Sequence, residues 1–518
     1  MSNTNLDNPQ TEVTQPTLTT NTQISQPTNV EAPVSTNTKN DKEIEEVKIS
    51  DHEVTNTTGE KNDEGVKIAF IGNVDSGKST LVGVLTKGLF DDGRGSARLR
   101  VFNYPHEAQL GRTSSVGHEI MGFDADGKQV FADRFVQNKN KYWAEVVKKS
   151  SKVVTLIDLC GHEKYLKTTM FGLVGMVPDY SMIIVGANMG ISRMTKEHLG
   201  ITLALKIPFF VVLTKVDMCP ENIFKETMDT LMKILKSGGC NRKPIVIKTD
   251  EDITTCAGAL ATDRICPIFT VSSVTGESVD KLTKFISLLS NRNQTNKFLK
   301  SSEEPVQFDI NENFMVSGVG VVVSGVVRAG TLRPNTTLLL GPDKANTFKQ
   351  VTIRTIHVNR VAAEEAHTGQ YACLAIKPHN KKESVSRDEF RKGMILVDPS
   401  VKPEPIWDFE SEIVILHHST TIKEGYQAVL HCGVIRQAVS IEELPKDILR
   451  TGDKAIVRFR FMYNAEYVKP GLTIILREGR TKILGVITKV YDAAERKKMG
   501  EQKLEEKKEE KITVKEQK

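Results

Sequence analysis

A chain of 518 residues exceeds what one hydrophobic core can hold, and a span of about 100–200 residues per domain points to about three domains. Apolar content of 39%, charged content of 26% and a net charge of +5 are those of a globular protein, and the mild basicity permits RNA contact without requiring it. No apolar run nears the roughly 20 residues that span a bilayer, which excludes a helical membrane protein.

The cysteines (Cys160, Cys219, Cys240, Cys256, Cys266, Cys373 and Cys432) are odd in number, and none forms a CxxC pair. That argues against a disulfide framework or zinc knuckle and for a reducing, cytoplasmic compartment. The start of the chain lacks a basic segment followed by an apolar one, and its first arginine is Arg94, so neither secretion nor an Arg-rich mitochondrial presequence is expected.

Residues 1–64 are rich in Thr, Asn, Gln, Ser and Pro. Such a segment buries too little surface to offset its ordering entropy, and it is expected to be a disordered polar tail. From 65 to 297, strand-like runs alternate with helix-like stretches: Val66–Ile71, Val153–Ile157, Ser181–Val185, Phe209–Leu213 and Ile268–Val271 are the strands. This predicts an α/β domain with a mostly parallel sheet and flanking helices.

Gly72-Asn73-Val74-Asp75-Ser76-Gly77-Lys78-Ser79, then Thr80, follows the first of these strands and opens a helical run, Thr80–Leu85. Strand, GxxxxGK[ST] and helix together form a P-loop. Its glycines let successive N–H groups point at phosphate oxygens, and the helix N-terminus adds a favourable field. Lys78 is placed to reach the β- and γ-phosphates and the Ser79 hydroxyl to ligate Mg²⁺.

Asp158-Leu159-Cys160-Gly161 follows the next strand. An Asp there suits Mg²⁺ binding through water, and the Gly161 N–H can sense a γ-phosphate. Thr214-Lys215-Val216-Asp217 follows Phe209–Leu213. The Asp217 carboxylate can accept from both the N1–H and the amino group of guanine, a paired donor that adenine lacks, while the Lys215 stem covers the base. Ser272-Ser273-Val274 follows the last strand and offers a backbone N–H to the guanine oxygen, although a Ser at a turn is ordinarily a turn former.

From about Val306 the pattern changes to short β-branched runs separated by Gly, Pro and Asn, including Val319–Val327, Thr337–Leu340, Val351–Val358, Ile413–His417 and Ala455–Phe461. These read as antiparallel β-barrels, with a boundary at Pro403–Pro405 that gives one barrel over 303–401 and another over 405–492. Residues 493–518 mix Lys and Glu densely and form a charged tail, a frayed helix or a solvated appendage.

The four nucleotide motifs in this order, with His162 directly after DxxG, resemble the translational GTPases of the elongation factor Tu and elongation factor 1-alpha type. GNVDSGKST at 72–80 and GRTSSVGHEI at 111–120 are more specifically similar to the GTP-binding protein 1 and 2 family. The likeness runs from about Val66 to Val490 and includes LREGRT at 476–481 and GYQAVLHC at 425–432 near the far end.

The resemblance implies roles that the residues alone do not. Thr113 matches the switch-loop threonine that closes over Mg²⁺ and the γ-phosphate. His162 matches the catalytic histidine that orients the attacking water on the ribosome, and Asp75 a position proposed to hold a monovalent cation. Of the two apolar residues that screen this histidine in elongation factor Tu, one matches Val74 and the other falls on Arg112. Two long stretches, 88–110 with Arg94, Arg98 and Arg100, and 131–152 with Arg134, Lys139, Lys141, Lys148, Lys149, Lys152 and Trp143, either touch RNA phosphates or are solvated loop charge.

The implied function is a cytoplasmic, monomeric GTP hydrolase cycling between GTP and GDP with Mg²⁺. It would deliver aminoacyl-tRNA or another RNA to the ribosome, in elongation, rescue or mRNA surveillance. A non-catalytic GTP-binding scaffold on mRNA-decay or signalling machinery, and a GTPase driving a metabolic partner enzyme, are the other classes the sequence admits.

Overall fold

A computed structural model describes residues 65–133, 136, 138–293, 299–380 and 386–498. The expected polar tail at 1–64, Arg134, and residues 499–518 of the charged tail lie outside the described residues. Among the described residues no helix is long and apolar enough to cross a membrane.

Eight strands form the first sheet: β1 (Val66–Gly72), β2 (Gly117–Phe123), β3 (Gln129–Val130), β4 (Lys152–Asp158), β5 (Tyr180–Gly186), β6 (Phe209–Thr214), β7 (Lys243–Val246) and β8 (Ile265–Thr270). Their order is β3-β2-β4-β1-β5-β6-β8-β7. The six from β4 to β7 run parallel, as the βαβ pattern predicts, whereas β2 and β3 are antiparallel additions at one edge. The central strands are near-continuous apolar runs because helices cover both faces.

The helices are α1 (Lys78–Lys87), α2 (Ser96–Leu99), α3 (Pro105–Leu110), α4 (Lys139–Lys149), α5 (Leu166–Gly175), α6 (Arg193–Ala204), α7 (Glu221–Lys236), α8 (Asp250–Ala259) and α9 (Val279–Leu288). Along β1 the period of two divides the core. Val66, Ile68 and Phe70 pack with α1, α8 and α9; Ala69 and Ile71 pack with α5, α6 and α7.

The long stretches expected to be loops carry α2, α3 and α4. Trp143 of α4 is 4% exposed and packs on Ile120, Val146 and Val153, so it is core and cannot stack on a base. Lys139 pairs with the buried Glu119 at 2.6 Å, Lys149 pairs with Glu145, and the Lys152 ammonium donates to the Ser287 carbonyl. Lys139 and Lys152 are thus committed within the domain, while Lys149 stays partly exposed in its pair.

Six strands close the first barrel: Gln307–Val316, Gly320–Ala329, Thr337–Gly341, Lys349–Val358, Tyr371–Pro378 and Ile395–Val397. Six more close the second: Asp408–His417, Gln427–Cys432, Ile435–Glu443, Lys454–Phe461, Thr473–Glu478 and Thr481–Tyr491. Inward residues such as Phe409, Ile413 and Ile415 alternate with outward ones such as Glu410 and Glu412, as a filled small barrel requires. Residues 493–498 are helical, and Arg496 ties them to the buried Asp408 at 2.9 Å.

Both barrels grip the first domain. The buried Lys67 ammonium donates to the Met176 and Gly369 carbonyls at 3.3 and 2.7 Å, and burial lowers its pKa to about 8. Arg328 of the first barrel donates to the Val174 carbonyl in α5 at 3.2 Å and to Asp309 at 2.6 Å. Glu197 of α6 accepts from Arg477 and Lys482 of the second barrel at 3.2 and 2.5 Å, and Ile475 joins the apolar layer around α5 and α6.

The barrels are joined to each other through Arg391, whose Nη1 donates to both carboxylate oxygens of Glu466 at 2.8 Å. The two side chains are 11% and 1% exposed. Removing one member strands a buried charge, so Arg391→Ala is expected to cost about 3–5 kcal/mol of stability. Denaturant unfolding measures it, and a loss below about 1 kcal/mol, the size of a surface pair, would contradict the buried assignment.

Candidate functional site

β1 ends at Gly72, on the sheet edge formed by the carboxyl ends of the parallel strands, where open α/β sheets bind ligands. The chain there must turn in very little space. A Cβ on Gly72 would lie 2.2 Å from the Ile184 carbonyl oxygen, and Gly77 holds φ at +84°, a conformation that favours glycine. The loop is fastened by the Ser76 hydroxyl, which donates to the Asn73 carbonyl at 2.9 Å, and by Thr214 at the end of β6, which donates to the Ser76 carbonyl at 2.6 Å.

Lys78 is buried, and its ammonium donates to the Asn73 carbonyl at 2.6 Å. Burial lowers its pKa, opposed by the charges of Asp158 and Asp75. An ammonium in this setting gains from an anionic acceptor, because charge-assisted hydrogen bonds are roughly twice as strong as neutral ones.

Three oxygens meet at the start of α1. The Ser79 hydroxyl lies 2.6 Å from Asp158 Oδ2 and 2.7 Å from Thr113 Oγ1, and Thr113 Oγ1 lies 3.4 Å from the same carboxylate. Burial lifts the Asp158 carboxyl to about 6, with Ser79, Lys78 and Thr113 pulling the other way. Its Oδ1 is buried with no hydrogen-bond partner among the described residues. Two hydroxyls, a carboxylate and an orphaned carboxylate oxygen are the hard-oxygen set that magnesium takes, with water completing its coordination. The residues therefore fit the ion.

Gly161 closes this side. A Cβ there would stand 2.4 Å from Lys78 Nζ and 2.7 Å from both the Asn73 and Gly72 carbonyl oxygens, so its bare backbone lies against the phosphate loop. His162 follows, half-buried. Its Nδ1 accepts from the Lys164 N–H at 3.0 Å, which puts the proton of the neutral imidazole on Nε2. A cavity of about 50 Å³ is lined by the loop residues Val74, Asp75, Gly77, Lys78, Ser79 and Thr80, and by Arg98, Gly111, Arg112, Thr113, Gly161 and His162. Val74 and Arg112 thus line the same cavity as the histidine, and Arg112 is exposed.

The candidate base-reading residues lie apart from this cavity. Lys215 holds φ at +60°, and Asp217 is exposed on the turn Val216–Met218 after β6. Neighbouring β8 leads to Ser272, which is fully buried. Its hydroxyl accepts from the Val274 and Thr275 N–H groups at 3.2 and 3.0 Å, shaping a tight turn with Ser273 and Val274 at its outer side. Ser272 thus acts through loop shape; its side chain is already committed.

Two organising residues escape a reading of the sequence. The buried Glu107 of α3 accepts at Oε1 from the N–H and hydroxyl groups of both Ser114 and Ser115, between 2.7 and 3.1 Å, and at Oε2 from the Asn103 N–H. Burial alone would raise its carboxyl; these donors outweigh it and hold the pKa below the ordinary value. Asp91, also buried, accepts from the N–H groups of Gly93, Gly95 and Ala97. No spacing rule links an acid to donors seven or eight residues on; only a capping-type cluster of serines after Glu107 hints at it.

The family profile described as elongation factor Tu GTP binding domain matches residues 63–291. The chain is 46% identical over 446 residues to GTP-binding protein 1 of Xenopus laevis, covering 86% of this chain and 66% of that protein. It is 42% identical over 428 residues to GTP-binding protein 2 of Mus musculus, covering 82% and 69%. The chain therefore spans about two thirds of the length of these relatives. In fold it is similar to the S. cerevisiae Ski7 GTPase-like domain, with a TM-score of 0.60 at 14% identity, covering 82% of this chain and 97% of that one.

Glu107 places the loop that carries Thr113. Releasing it by Glu107→Ala is expected to lower single-turnover GTP hydrolysis on the order of 100-fold, the effect of displacing a positioning group by about 1 Å, while GDP affinity is kept. Single-turnover assays paired with fluorescent-GDP titration check this; undiminished turnover would show that the loop does not depend on Glu107.

Proposed function

The chain belongs to the GTP-binding protein 1 and 2 family of translational GTPases, and from that premise we propose that it is a GTP-driven switch that escorts an RNA ligand, aminoacyl-tRNA or a related RNA, to the ribosome. In this reading the N–H groups of residues 72–79 cradle the phosphates, and Lys78 exchanges the Asn73 carbonyl for phosphate oxygens. Ser79 and Thr113 would hold Mg²⁺, with Asp158 behind them through water. When bound, the ion neutralises charge on the phosphate oxygens. Asp217 selects guanine, with Lys215 over the base and the turn at Ser272–Val274 closing its other edge. Asp75, exposed on the lip of the loop, is the position for a monovalent cation.

Water attacks the γ-phosphorus, and the bond from that atom to the β–γ bridging oxygen breaks. With its proton on Nε2, neutral His162 can donate to the water or to a phosphate oxygen but cannot take up a proton there. It therefore positions the nucleophile, and the water's proton passes to phosphate. Little covalent chemistry falls to the side chains; placement and charge do most of it.

The observation that carries the switch is the attachment of α5. This helix begins four residues after His162, and its Thr169 hydroxyl donates to the Cys160 carbonyl at 2.7 Å. Its far end is held by Arg328 of the first barrel, and its surface packs on Gln427–Cys432 of the second. A change at Gly161 thus reaches both barrels. Loss of the γ-phosphate frees Gly161 and Thr113, and the barrels reorient as rigid bodies. RNA held against the barrels would be released at that step.

The test is filter binding of charged and uncharged tRNA to the GTP and GDP states, with ribosome-stimulated hydrolysis measured alongside. GTP-dependent preference for charged tRNA is expected. His162→Ala should retain GTP binding and lose most of the stimulated turnover, on the order of the 100-fold or more that a misplaced nucleophile costs. Indifference to tRNA and to ribosomes would favour a regulatory GTP-binding scaffold instead.

A further inference from the structure

The segment between α1 and the Thr113 loop holds a cation that the proposed mechanism does not use. α2 is a single turn, yet it is firmly placed. A Cβ on Gly83 of α1 would stand 2.2 Å from the Ala97 carbonyl oxygen, so α1 and α2 meet backbone to backbone. Asp91 gathers the approach to α2 through the N–H groups of Gly93 and Gly95 at 3.1 Å and of Ala97 at 2.9 Å. The Asp91 N–H in turn donates to the Ser273 carbonyl at 2.8 Å, which ties the segment to the loop after β8.

This scaffold presents Arg98. Its guanidinium lies against Gly111, where a Cβ would be 3.2 Å from Nη2, two residues before Thr113. The side chain lines the same cavity as Lys78 and His162. Its Nε is buried with no hydrogen-bond partner, and no carboxylate among the described residues pairs with it. Nε itself lies against Gly95, where a Cβ would be 2.5 Å away, so the donors turned to the cavity are those of the outer nitrogens, and a guanidinium that keeps its charge in the wall shared with Lys78 suits an anionic ligand.

We propose that Arg98 is an arginine finger supplied in cis: its guanidinium contacts the γ-phosphate oxygens and the β–γ bridging oxygen as that bond breaks. The inference rests on the nucleotide-site reading above. As water's oxygen bonds to the γ-phosphorus, the electron pair of the breaking bond goes to the bridging oxygen, and Arg98 offsets the charge gathering there. It exchanges no proton. A charge aimed at the transition state raises kcat and leaves ground-state affinity nearly alone.

The full chain with GDP, Mg²⁺ and fluoroaluminate, and no ribosome or partner, tests this through the fluorescence of a labelled GDP, with single-turnover GTP hydrolysis alongside. The unmodified chain is expected to form the GDP–fluoroaluminate complex unaided. Arg98→Ala should abolish that complex and slow intrinsic hydrolysis on the order of a thousandfold, as loss of an arginine finger does, with GDP affinity kept. Arg98→Lys should restore part of both. Arg94→Ala, an exposed change in the same segment, should alter neither. If Arg98→Ala fails to fold, Arg98→Gln takes its place with the same expectations. An Arg98 variant that keeps the fluoroaluminate complex, one that loses GDP affinity in step with turnover, or an unmodified chain that binds GDP but never fluoroaluminate would each overturn the proposal. An unmodified chain that binds no GDP would instead sink the nucleotide-site reading itself.

Discussion

The backbone of Gly161 lies where no side chain can fit, against the Lys78 ammonium and the carbonyls of Gly72 and Asn73. That approach brings the end of β4 onto the loop after β1, and the rest of the site follows from it. It sets Asp158 beside Ser79, puts His162 on the cavity wall and starts α5 at a fixed point relative to the phosphate loop. Because α5 is held by the first barrel and packed on the second, one helix links the Gly161 side of the site to both barrels. Packed interfaces of this kind switch between discrete arrangements and do not deform smoothly, which is how a lost phosphate can become a rigid-body motion.

The electrostatics are those of a site built for a charged ligand. Lys78 and Asp158 are both buried, and burial pushes each towards its neutral form, the lysine downward and the aspartate up to about 6. They stand close enough to moderate each other, yet Lys78 rests on a carbonyl and one oxygen of Asp158 has no partner. Such arrangements are costly unless something of opposite charge completes them. Phosphate oxygens on one side and a divalent cation on the other would do so. The ion pairs between barrels and first domain, Glu197 with Arg477 and Lys482, do complete each other and serve as joints.

What the sequence made legible was what the backbone dictates locally. Gly72–Ser79 reads as a phosphate loop because glycine, lysine and serine at those spacings follow an apolar strand, and Asp158–Gly161 and Thr214–Asp217 gain meaning from the strands before them. The barrels are legible from β-branched runs between turn residues, and six strands close each of them. Thr113 entered only through family resemblance, since a threonine in a polar loop carries no signal. It lies 2.7 Å from the Ser79 hydroxyl. Glu107 and Asp91 were illegible because their partners come from loop closure, which no periodicity encodes, and Arg98 read only as one of several loop charges. Gly117–Phe123 hid as a strand because His118 and Glu119 interrupt its apolar pattern. Trp143 among lysines resembled a nucleic-acid contact, and tertiary packing made it core.

The central claim is that a γ-phosphate is sensed at Gly161 and Thr113 and relayed through α5. Amide hydrogen exchange of the full chain, bound to Mg²⁺ with either GDP or a non-hydrolysable GTP analogue, addresses it directly. The account predicts slower exchange in the triphosphate state over residues 111–115 and 161–175, and at the barrel strand 427–432 that α5 touches. Equal exchange in the two states across all three segments would contradict it.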